Sequence, residues 1–210
     1  MSLFSIVLDV LFPPTCVACN KPGSYLCSDC QHNIHYYSQL LPLKSASSLD
    51  GLFALGKHEP PLQNLIKHIK YYGHSDMAKT AAHLLAIHLP MSFHNVDLIT
   101  AIPLHVRRER ERGYNQSDIL AKHLSTELHL PYQRLLQKVR STLPQAGLTR
   151  NQRLSNLERA FRCHSDSLSG KRILLIDDVT TTGATLQEAA LVLKQAGAAL
   201  VLGAVLAHGR

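Results

Sequence analysis

The stretch between Ile173 and Leu186 constrains the fold of this chain more than any other. Four consecutive apolar residues, 173–176, predict a buried strand, and the carboxylates Asp177 and Asp178 follow at once. A segment rich in Thr and Gly then leads into a helical pattern. A loop that enters a helix presents unpaired backbone N–H groups and the positive end of the helix dipole, which favour an anion. The pattern therefore predicts an anion-binding turn at the end of a buried strand.

The two acids beside this turn narrow the class of ligand, because carboxylates repel a bare phosphate. A ribose diol donates two hydroxyls to such a pair, and Mg²⁺ bridges carboxylate and pyrophosphate oxygens. The residue order therefore predicts a phosphorylated ribose, with its diol at the acids and its 5′-phosphate in the threonine loop. The alternative is a strand end at which the acids cap a turn. The candidate binding residues are Asp177, Asp178, Val179, Thr180, Thr181, Thr182, Gly183, Ala184 and Thr185, and the two acids are also the candidate catalytic residues.

Four of the five cysteines form two Cys-x-x-Cys pairs, Cys16 with Cys19 and Cys27 with Cys30. Such pairs supply the four soft thiolate ligands of a tetrahedral structural zinc site. A Pro22-Gly23 turn is expected to bring the pairs together. A redox dithiol is the alternative, although it needs only one such pair. The remaining cysteine, Cys163, is expected to be a half-buried small side chain.

Hydrophobic periodicity alternates between helix and strand along the rest of the chain. Helical spacing lies within residues 62–69, 77–88, 119–128 and 186–196, and strand-like apolar runs lie within 96–102, 173–176 and 199–207. This alternation predicts an α/β fold with a parallel sheet. We divide the chain into an N-terminal helix with the zinc knob, residues 1–37, and an α/β domain, residues 38–210.

Composition and charge exclude several classes of protein. With 45% apolar and 18% charged residues, the chain does not resemble a disordered protein. No run approaches the roughly 18 uncharged apolar residues of a membrane span, and residues 3–12 lack the basic start of a secretory signal, so the expected location is the cytoplasm. The net charge of +7 favours anionic partners such as phosphates or nucleic acid.

The strand, acid pair and Thr/Gly loop resemble the signature of the type I phosphoribosyltransferases, which bind phosphoribosyl pyrophosphate (PRPP). Together with the cysteine knob, the run AIPLHVRRERERGYNQ at residues 101–116 and the segment 144–161 make the chain similar to the ComF/GntX family of competence-associated proteins. The resemblance implies a phosphoribosyltransferase-like fold and PRPP with Mg²⁺ as ligand. It also implies handling of single-stranded DNA in natural transformation, with DNA-processing or helicase proteins as partners.

Further site residues follow from the same resemblance. It implies that the loop Pro103, Leu104 and His105 binds pyrophosphate. It also implies that residues 138–160 form a hood loop over PRPP, in which pyrophosphate is contacted by Lys138, Arg140, Arg150 and Arg153. A mobile polar loop without a chemical task is the alternative for this segment.

The basic residues expected on the surface are the candidate nucleic-acid contacts: Lys67, Lys70, Arg107, Arg108, Arg110 and Arg112. Two acids interleave with the arginines, so a solvated and self-paired helix start is the alternative for part of this run. Asn115 is expected to cap the helix that follows. Candidates for stacking on an acceptor base, with ordinary packing as the alternative, are Tyr71, Tyr72 and Tyr114.

Two functions fit these features. One is a PRPP-binding accessory protein that acts on or near single-stranded DNA, and the other is an active phosphoribosyltransferase with an unidentified acceptor base. Whether the chain is an enzyme stays open at this point, because fold does not determine activity.

Overall fold

The computed structural model describes residues 13–43, 45, 47–72, 75–140, 160–165 and 168–209. Its strands are β1 (Gly51–Lys57), β2 (Leu98–Ala101), β3 (Leu136–Lys138), β4 (Phe161–Cys163), β5 (Arg172–Thr180) and β6 (Leu200–His208). Four of them form a sheet with the order β1-β6-β5-β2, in which every pair is parallel. The predicted α/β fold with a parallel sheet is therefore confirmed.

The helices cover both faces of this sheet. They are α1 (Ser28–His32), α2 (Leu62–Tyr72), α3 (Ser75–His88), α4 (Val106–Arg112), α5 (Gln116–Leu128) and α6 (Ala184–Gln195), with a 3₁₀ turn at Met91–Phe93. Alternate residues of β5 enter opposite layers of the core: Leu174 and Ile176 belong to the buried cluster that contains α2, α3 and α5, whereas Ile173 and Leu175 belong to the cluster that contains α6. The period of two in β5 thus fixes which helices lie on each face.

A second, smaller sheet joins β3 and β4 as antiparallel strands, with Leu136 opposite Cys163. A bridge between His105 and Lys138 attaches it to the loop after β2. The prediction that Lys138 begins a loop is wrong, because this residue ends β3. Cys163 lies half-buried in β4, as expected.

The sequence pattern does not predict β1, because glycines at both of its ends weaken the apolar signal. The structure supplies the reason at Gly56, where an added Cβ would lie 2.8 Å from the carbonyl oxygen of His35. The backbone of the cysteine segment also bonds to this strand, since Tyr37 N donates to Leu55 O and Lys57 N donates to His35 O. The absence of a side chain at Gly56 therefore allows the N-terminal module to approach the sheet edge.

The described residues of the N-terminal module form no separate core. Its buried residues Cys16, Leu26, Cys27, Cys30 and Ile34 belong to the same cluster as those of α2 and α3. The proposed division at residue 37 remains a prediction, and the expected helix within residues 3–12 lies outside the described residues. Within the described part of the chain, no helix is long and apolar enough to cross a membrane.

Candidate functional site

The predicted acid pair lies inside β5 and not after it. The strand continues through Asp177, Asp178 and Val179 to Thr180, where it is still paired with His208 of β6. The prediction that the strand ends at Ile176 is wrong, because two acids and a threonine at a sheet's carboxyl edge keep their backbone hydrogen bonds even though their side chains break the apolar pattern. The strand thus holds both carboxylates at the edge where open α/β sheets bind their ligands.

Asp177 is held by donors from two elements. Its Oδ1 accepts from Ser117 Oγ and from Asp178 N, both at 2.9 Å. Burial and the charge of Asp178 raise the pKa of Asp177 to about 7, although these hydrogen bonds and Lys70 act in the opposite direction. In the absence of ligand, this carboxyl is therefore balanced between its neutral and ionised forms near neutral pH.

The start of α5 explains how Ser117 reaches Asp177. Asn115 caps the helix, since its Oδ1 accepts from Ser117 N at 3.1 Å and its Nδ2 donates to Ile102 O at 3.0 Å. The predicted cap is thereby confirmed. The same amide anchors α5 to the end of β2, so the position of Ser117 depends on the sheet.

Asp178 has a different neighbour. Its buried Oδ2 lies 3.0 Å from Lys70 Nζ of α2, and among the described residues this oxygen accepts no hydrogen bond of good geometry. The sequence interpretation places Lys70 on the exposed surface, but its side chain is only 25% exposed and it pairs with the acid. Lys67, one turn away on the same helix, is exposed as expected.

The turn after β5 leads directly into α6. Gly183 has φ +74°, and no side chain of the described residues caps α6 there. Thr180 Oγ1 accepts from Gly183 N at 3.1 Å, and Thr181 O is held by His208 Nε2 at 3.0 Å. The turn is therefore fixed from within, while the positive end of α6 stays available to an anion.

The predicted residues of this segment differ in what they offer. Val179 packs against the core cluster, Thr182 is exposed, and Ala184 and Thr185 form the first turn of α6. Side-chain contacts are thus expected from the threonines, whereas Val179 and Ala184 offer backbone groups.

The loop after β2 borders a cleft of about 210 Å³. Pro103 and Leu104 line it together with Lys138 from β3. His105 instead caps α4, because its Nδ1 accepts from Arg107 N at 3.3 Å. The three predicted loop residues therefore stay together, with two in the cleft wall and one at the head of a helix.

Lys138 brings positive charge to the acid pair. Burial lowers the pKa of Lys138, the negative charge of Asp177 opposes this shift, and Arg108 adds to it. The cleft, the acids and two cations therefore share one region. Arg140 is exposed beside it, whereas Arg150 and Arg153 lie outside the described residues.

Three residues that also line the cleft, Glu109, Asp118 and Arg134, form with Tyr132 a polar cluster that the sequence pattern does not reveal. Tyr132 Oη donates to Asp118 Oδ1 at 2.6 Å, and Arg134 pairs with Asp118 and with Glu109 of α4. Burial raises the pKa of Tyr132 well above its usual range. Ser117 and this cluster carry no local motif, so only the tertiary fold identifies them.

Among the described residues, two of the four arginines of α4 have side-chain partners and two have none. Arg107 pairs with Glu111 at 2.9 Å, as the self-paired alternative expects, and Arg112 donates to Gln116 and lies over the ring of Tyr71. Arg108 and Arg110 are exposed. We therefore regard these last two as the better placed of the arginines for an external anion.

The candidate stacking tyrosines also differ. Tyr71 is 67% exposed, whereas the Tyr114 hydroxyl donates to Ile69 O at 2.8 Å and serves packing. The side chain of Tyr72 lies outside the described part of the structure.

The four cysteines form a metal-binding cluster. The sulfur atoms of Cys16, Cys19, Cys27 and Cys30 lie within 4.8 Å of one another, and Cys19 Sγ and Cys27 Sγ are 3.6 Å apart. Zn–S bonds of about 2.3 Å place the sulfurs of a tetrahedron about 3.8 Å apart, so the arrangement fits zinc. Gly23, in the predicted turn, has φ +108°. Burial raises the pKa of Cys16, but backbone N–H groups, first that of Cys27, outweigh it and lower the pKa to about 6.

Family models match both regions of the chain. The phosphoribosyl transferase domain matches residues 115–210, and the double zinc ribbon domain matches residues 7–42. The fold and the cysteine cluster thus define a phosphoribosyltransferase-type α/β protein with an N-terminal zinc-binding module. The chain has five cysteines, which are enough for one metal site with four cysteine ligands.

Individual relatives identify the family to which the chain belongs within this class of protein. The chain is 32% identical to competence protein F of Haemophilus influenzae over 194 residues, which are 87% of this chain and 85% of the relative. It is 34% identical to the DNA utilization protein YhgH of Escherichia coli over 156 residues, or 71% of this chain and 68% of the relative. The chain belongs to the competence protein F (ComF) family. Among solved structures, a glutamine PRPP amidotransferase from B. subtilis has a TM-score of 0.46 and 19% identity over 67% of this chain and 30% of that one.

Proposed function

We propose that this chain binds PRPP at the carboxyl end of β5 and supports natural transformation in the cytoplasm, on or near single-stranded DNA. One observation carries the proposal: a single turn joins two carboxylates at the sheet edge, Asp177 and Asp178, to a helix whose N-terminus no described side chain caps. A diol donor and a phosphate are the two ligand groups that such a turn satisfies together.

The charges around the turn support a ligand with a second anionic group. The negative charge of Asp177 and the positive charge of Arg108 both act on the pKa of Lys138, in opposite directions, and Pro103 and Leu104 form the adjacent cleft wall. A pyrophosphate on the ribose would face these cations. Positioning and charge neutralisation are the contributions that a protein makes to departure of such a group.

Mg²⁺ belongs to this proposal as the partner of the pyrophosphate. Carboxylate oxygens are ligands that Mg²⁺ prefers, and a bound ion would neutralise charge on pyrophosphate. Lys70 beside Asp178 disfavours a second cation on that carboxylate. We therefore expect Asp178 to accept a ribose hydroxyl and Asp177 to be the acid nearer to the ion.

Calorimetric titration with PRPP and Mg²⁺ tests the site. Wild type should bind, and Asp177→Asn with Asp178→Asn should lose about 100-fold or more in affinity, because both diol acceptors lose their charge. A matched control is Asp50→Asn with Asp97→Asn, which removes the same charge at the opposite edge, where the two side chains accept from Val201 N and Arg172 N. The assignment of the PRPP site is contradicted if the Asp177→Asn, Asp178→Asn variant keeps its affinity for PRPP, or if wild type does not bind PRPP.

The proposed contact with single-stranded DNA rests on α4. Arg108 and Arg110 are exposed on a helix that begins at the loop beside the site, and phosphate contacts dominate nucleic-acid affinity. The relatives named for competence and DNA utilization make DNA-processing or helicase proteins the partners to test first.

Charge reversal separates the arginines. Arg108→Glu with Arg110→Glu should weaken binding to single-stranded DNA about tenfold or more and reduce its salt slope. Arg107→Ala, which removes a residue already paired with Glu111, should change the slope less. An unchanged slope in the double variant assigns these arginines to a solvated helix face.

A phosphoribosyltransferase activity is the second candidate, and the cleft favours it. About 210 Å³ beside Lys138 is enough volume for one planar base. Release of pyrophosphate from PRPP across a panel of bases supports turnover. PRPP binding without release on any of them supports the accessory role.

A further inference from the structure

Helix α2 connects the two sites that are otherwise furthest apart in the chain. Its buried residues Leu62, Leu65 and Ile66 belong to the same core cluster as Cys16 and Cys27 of the zinc module. On the same half of the helix, Asn64 Nδ2 donates to Val17 O at 3.3 Å. The packing of this half of α2 therefore depends on the loop that carries the metal ligands.

The other end of α2 reaches the acid pair. Lys70 Nζ lies 3.0 Å from Asp178 Oδ2, an oxygen that accepts no hydrogen bond of good geometry among the described residues. The Tyr114 hydroxyl holds the adjoining backbone by donating to Ile69 O at 2.8 Å, and Arg112 lies 5.7 Å from the centre of the exposed Tyr71 ring. Contacts at both ends of α2 therefore hold Lys70 beside Asp178.

We propose that Lys70 is a positioning residue of the ribose site and that α2 makes PRPP affinity depend on the metal-loaded zinc module. The inference rests on the proposed PRPP binding. It gives Lys70 a role different from the DNA contact that the sequence suggests.

The physical argument has two steps. A carboxylate as buried as Asp178, at 7% exposure, is costly to leave without a counter-charge, so displacement of Lys70 alters the position or protonation of this acid. Loss of zinc removes the bonds that organise the cysteine loop, because so short a segment relies on metal for its order. The half of α2 that packs on this loop then loses its support, and Lys70 moves with the helix.

A thermodynamic cycle on the full chain tests the coupling. PRPP affinity with Mg²⁺ is measured calorimetrically for wild type and Lys70→Met, each with zinc bound and after zinc removal by a chelator that is then dialysed away. Lys67→Met is the matched control on an exposed position of the same helix, and Lys70→Arg tests rescue of the positive charge.

We expect zinc removal to weaken PRPP binding about tenfold in wild type, within the range of typical coupling between sites. The same removal should change affinity less than about twofold in Lys70→Met, because the connection is already broken. Lys70→Met with zinc bound should itself lose about tenfold while keeping its zinc content, Lys70→Arg should recover most of this loss, and Lys67→Met should resemble wild type.

The coupling is overturned if zinc removal lowers PRPP affinity equally in wild type and Lys70→Met. It is also overturned if zinc removal leaves the PRPP affinity of wild type unchanged. Asn64→Ala keeps the zinc ligands and breaks only the bond to Val17 O, so it provides the test if the metal-free chain unfolds. It should weaken PRPP binding about threefold in the wild-type background and not in Lys70→Met. If wild type binds PRPP but the effects of zinc removal or Asn64→Ala simply add to that of Lys70→Met, this inference alone is overturned. If wild type does not bind PRPP, the proposed function is overturned as well.

Discussion

The zinc module and the acid-pair site are built in opposite ways. The four metal ligands lie between residues 16 and 30, and a tight turn brings their sulfurs within 4.8 Å. The acid pair is surrounded by groups from three other elements, namely Lys70 of α2, Ser117 of α5 and Lys138 of β3. Local spacing determines the first site, whereas tertiary packing determines the second.

The two regions also differ in what they contribute to stability. A metal site supplies folding free energy to a segment too short for its own core. At the acid pair, burial and then the like charge of Asp178 raise the pKa of Asp177 to about 7. We therefore expect loss of the first site to destabilise the protein and neutralisation of the second to stabilise it.

The largest expected effect is on the zinc side. Cys16→Ser with Cys27→Ser should release about one equivalent of zinc and lower the unfolding free energy by about 4 kcal/mol or more, as loss of a structural metal does. Zinc content and thermal unfolding measure both quantities. Cys163→Ser, outside the cluster, is the control and should keep its metal. A double variant as stable as wild type removes the structural role.

A smaller effect of opposite sign is expected at the acid pair. The pKa of Asp177 rises on folding from 3.8 to about 7, so between these values the folded protein binds a proton that the unfolded chain does not. The unfolding free energy should therefore fall as pH rises from about 4 to 7. Asp177→Asn should flatten this dependence and raise the stability at pH 8 by about 1 kcal/mol or more, or about 2–4 °C.

Denaturant unfolding across pH 4–8 measures this contrast. Asp97→Asn, at the opposite edge of the sheet, is the control for loss of one charge. A variant less stable than wild type at pH 8 would mean that Asp177 is a structural acid, and the contrast between the two regions would disappear.

The smallest expected effect sharpens the role of the tertiary contacts. Ser117→Ala removes one hydrogen bond to Asp177 Oδ1 and should weaken PRPP binding about fivefold, the value of about 1 kcal/mol for one such bond. The pKa of Asp177 should rise further, which shifts the pH dependence of binding upward. Ser125→Ala on the same helix is the control. Unchanged affinity and pH dependence in Ser117→Ala show that the serine does not tune the acid.

This contrast between local spacing and tertiary packing also explains which features of the fold and the site the sequence alone predicts. The cysteine spacing predicts the zinc cluster, and the run before Asp177 predicts β5, because each depends on residues close together in the chain. Ser117, a hydrogen-bond partner of Asp177, is 60 residues away in the chain. No local sequence pattern around Ser117 or Lys70 indicates that either side chain contacts an acid. Strand β1 is missed for a related reason, since Gly56 is selected by the close approach of His35 and not by its own propensity.

The most direct measurement is a crystal structure of the full chain with PRPP and Mg²⁺. We expect the ribose hydroxyls within hydrogen-bond distance of Asp177 and Asp178, and the 5′-phosphate at residues 181–185 against the first turn of α6. Electron density for PRPP elsewhere, with no ribose at the acid pair and no phosphate at the turn, would contradict the account.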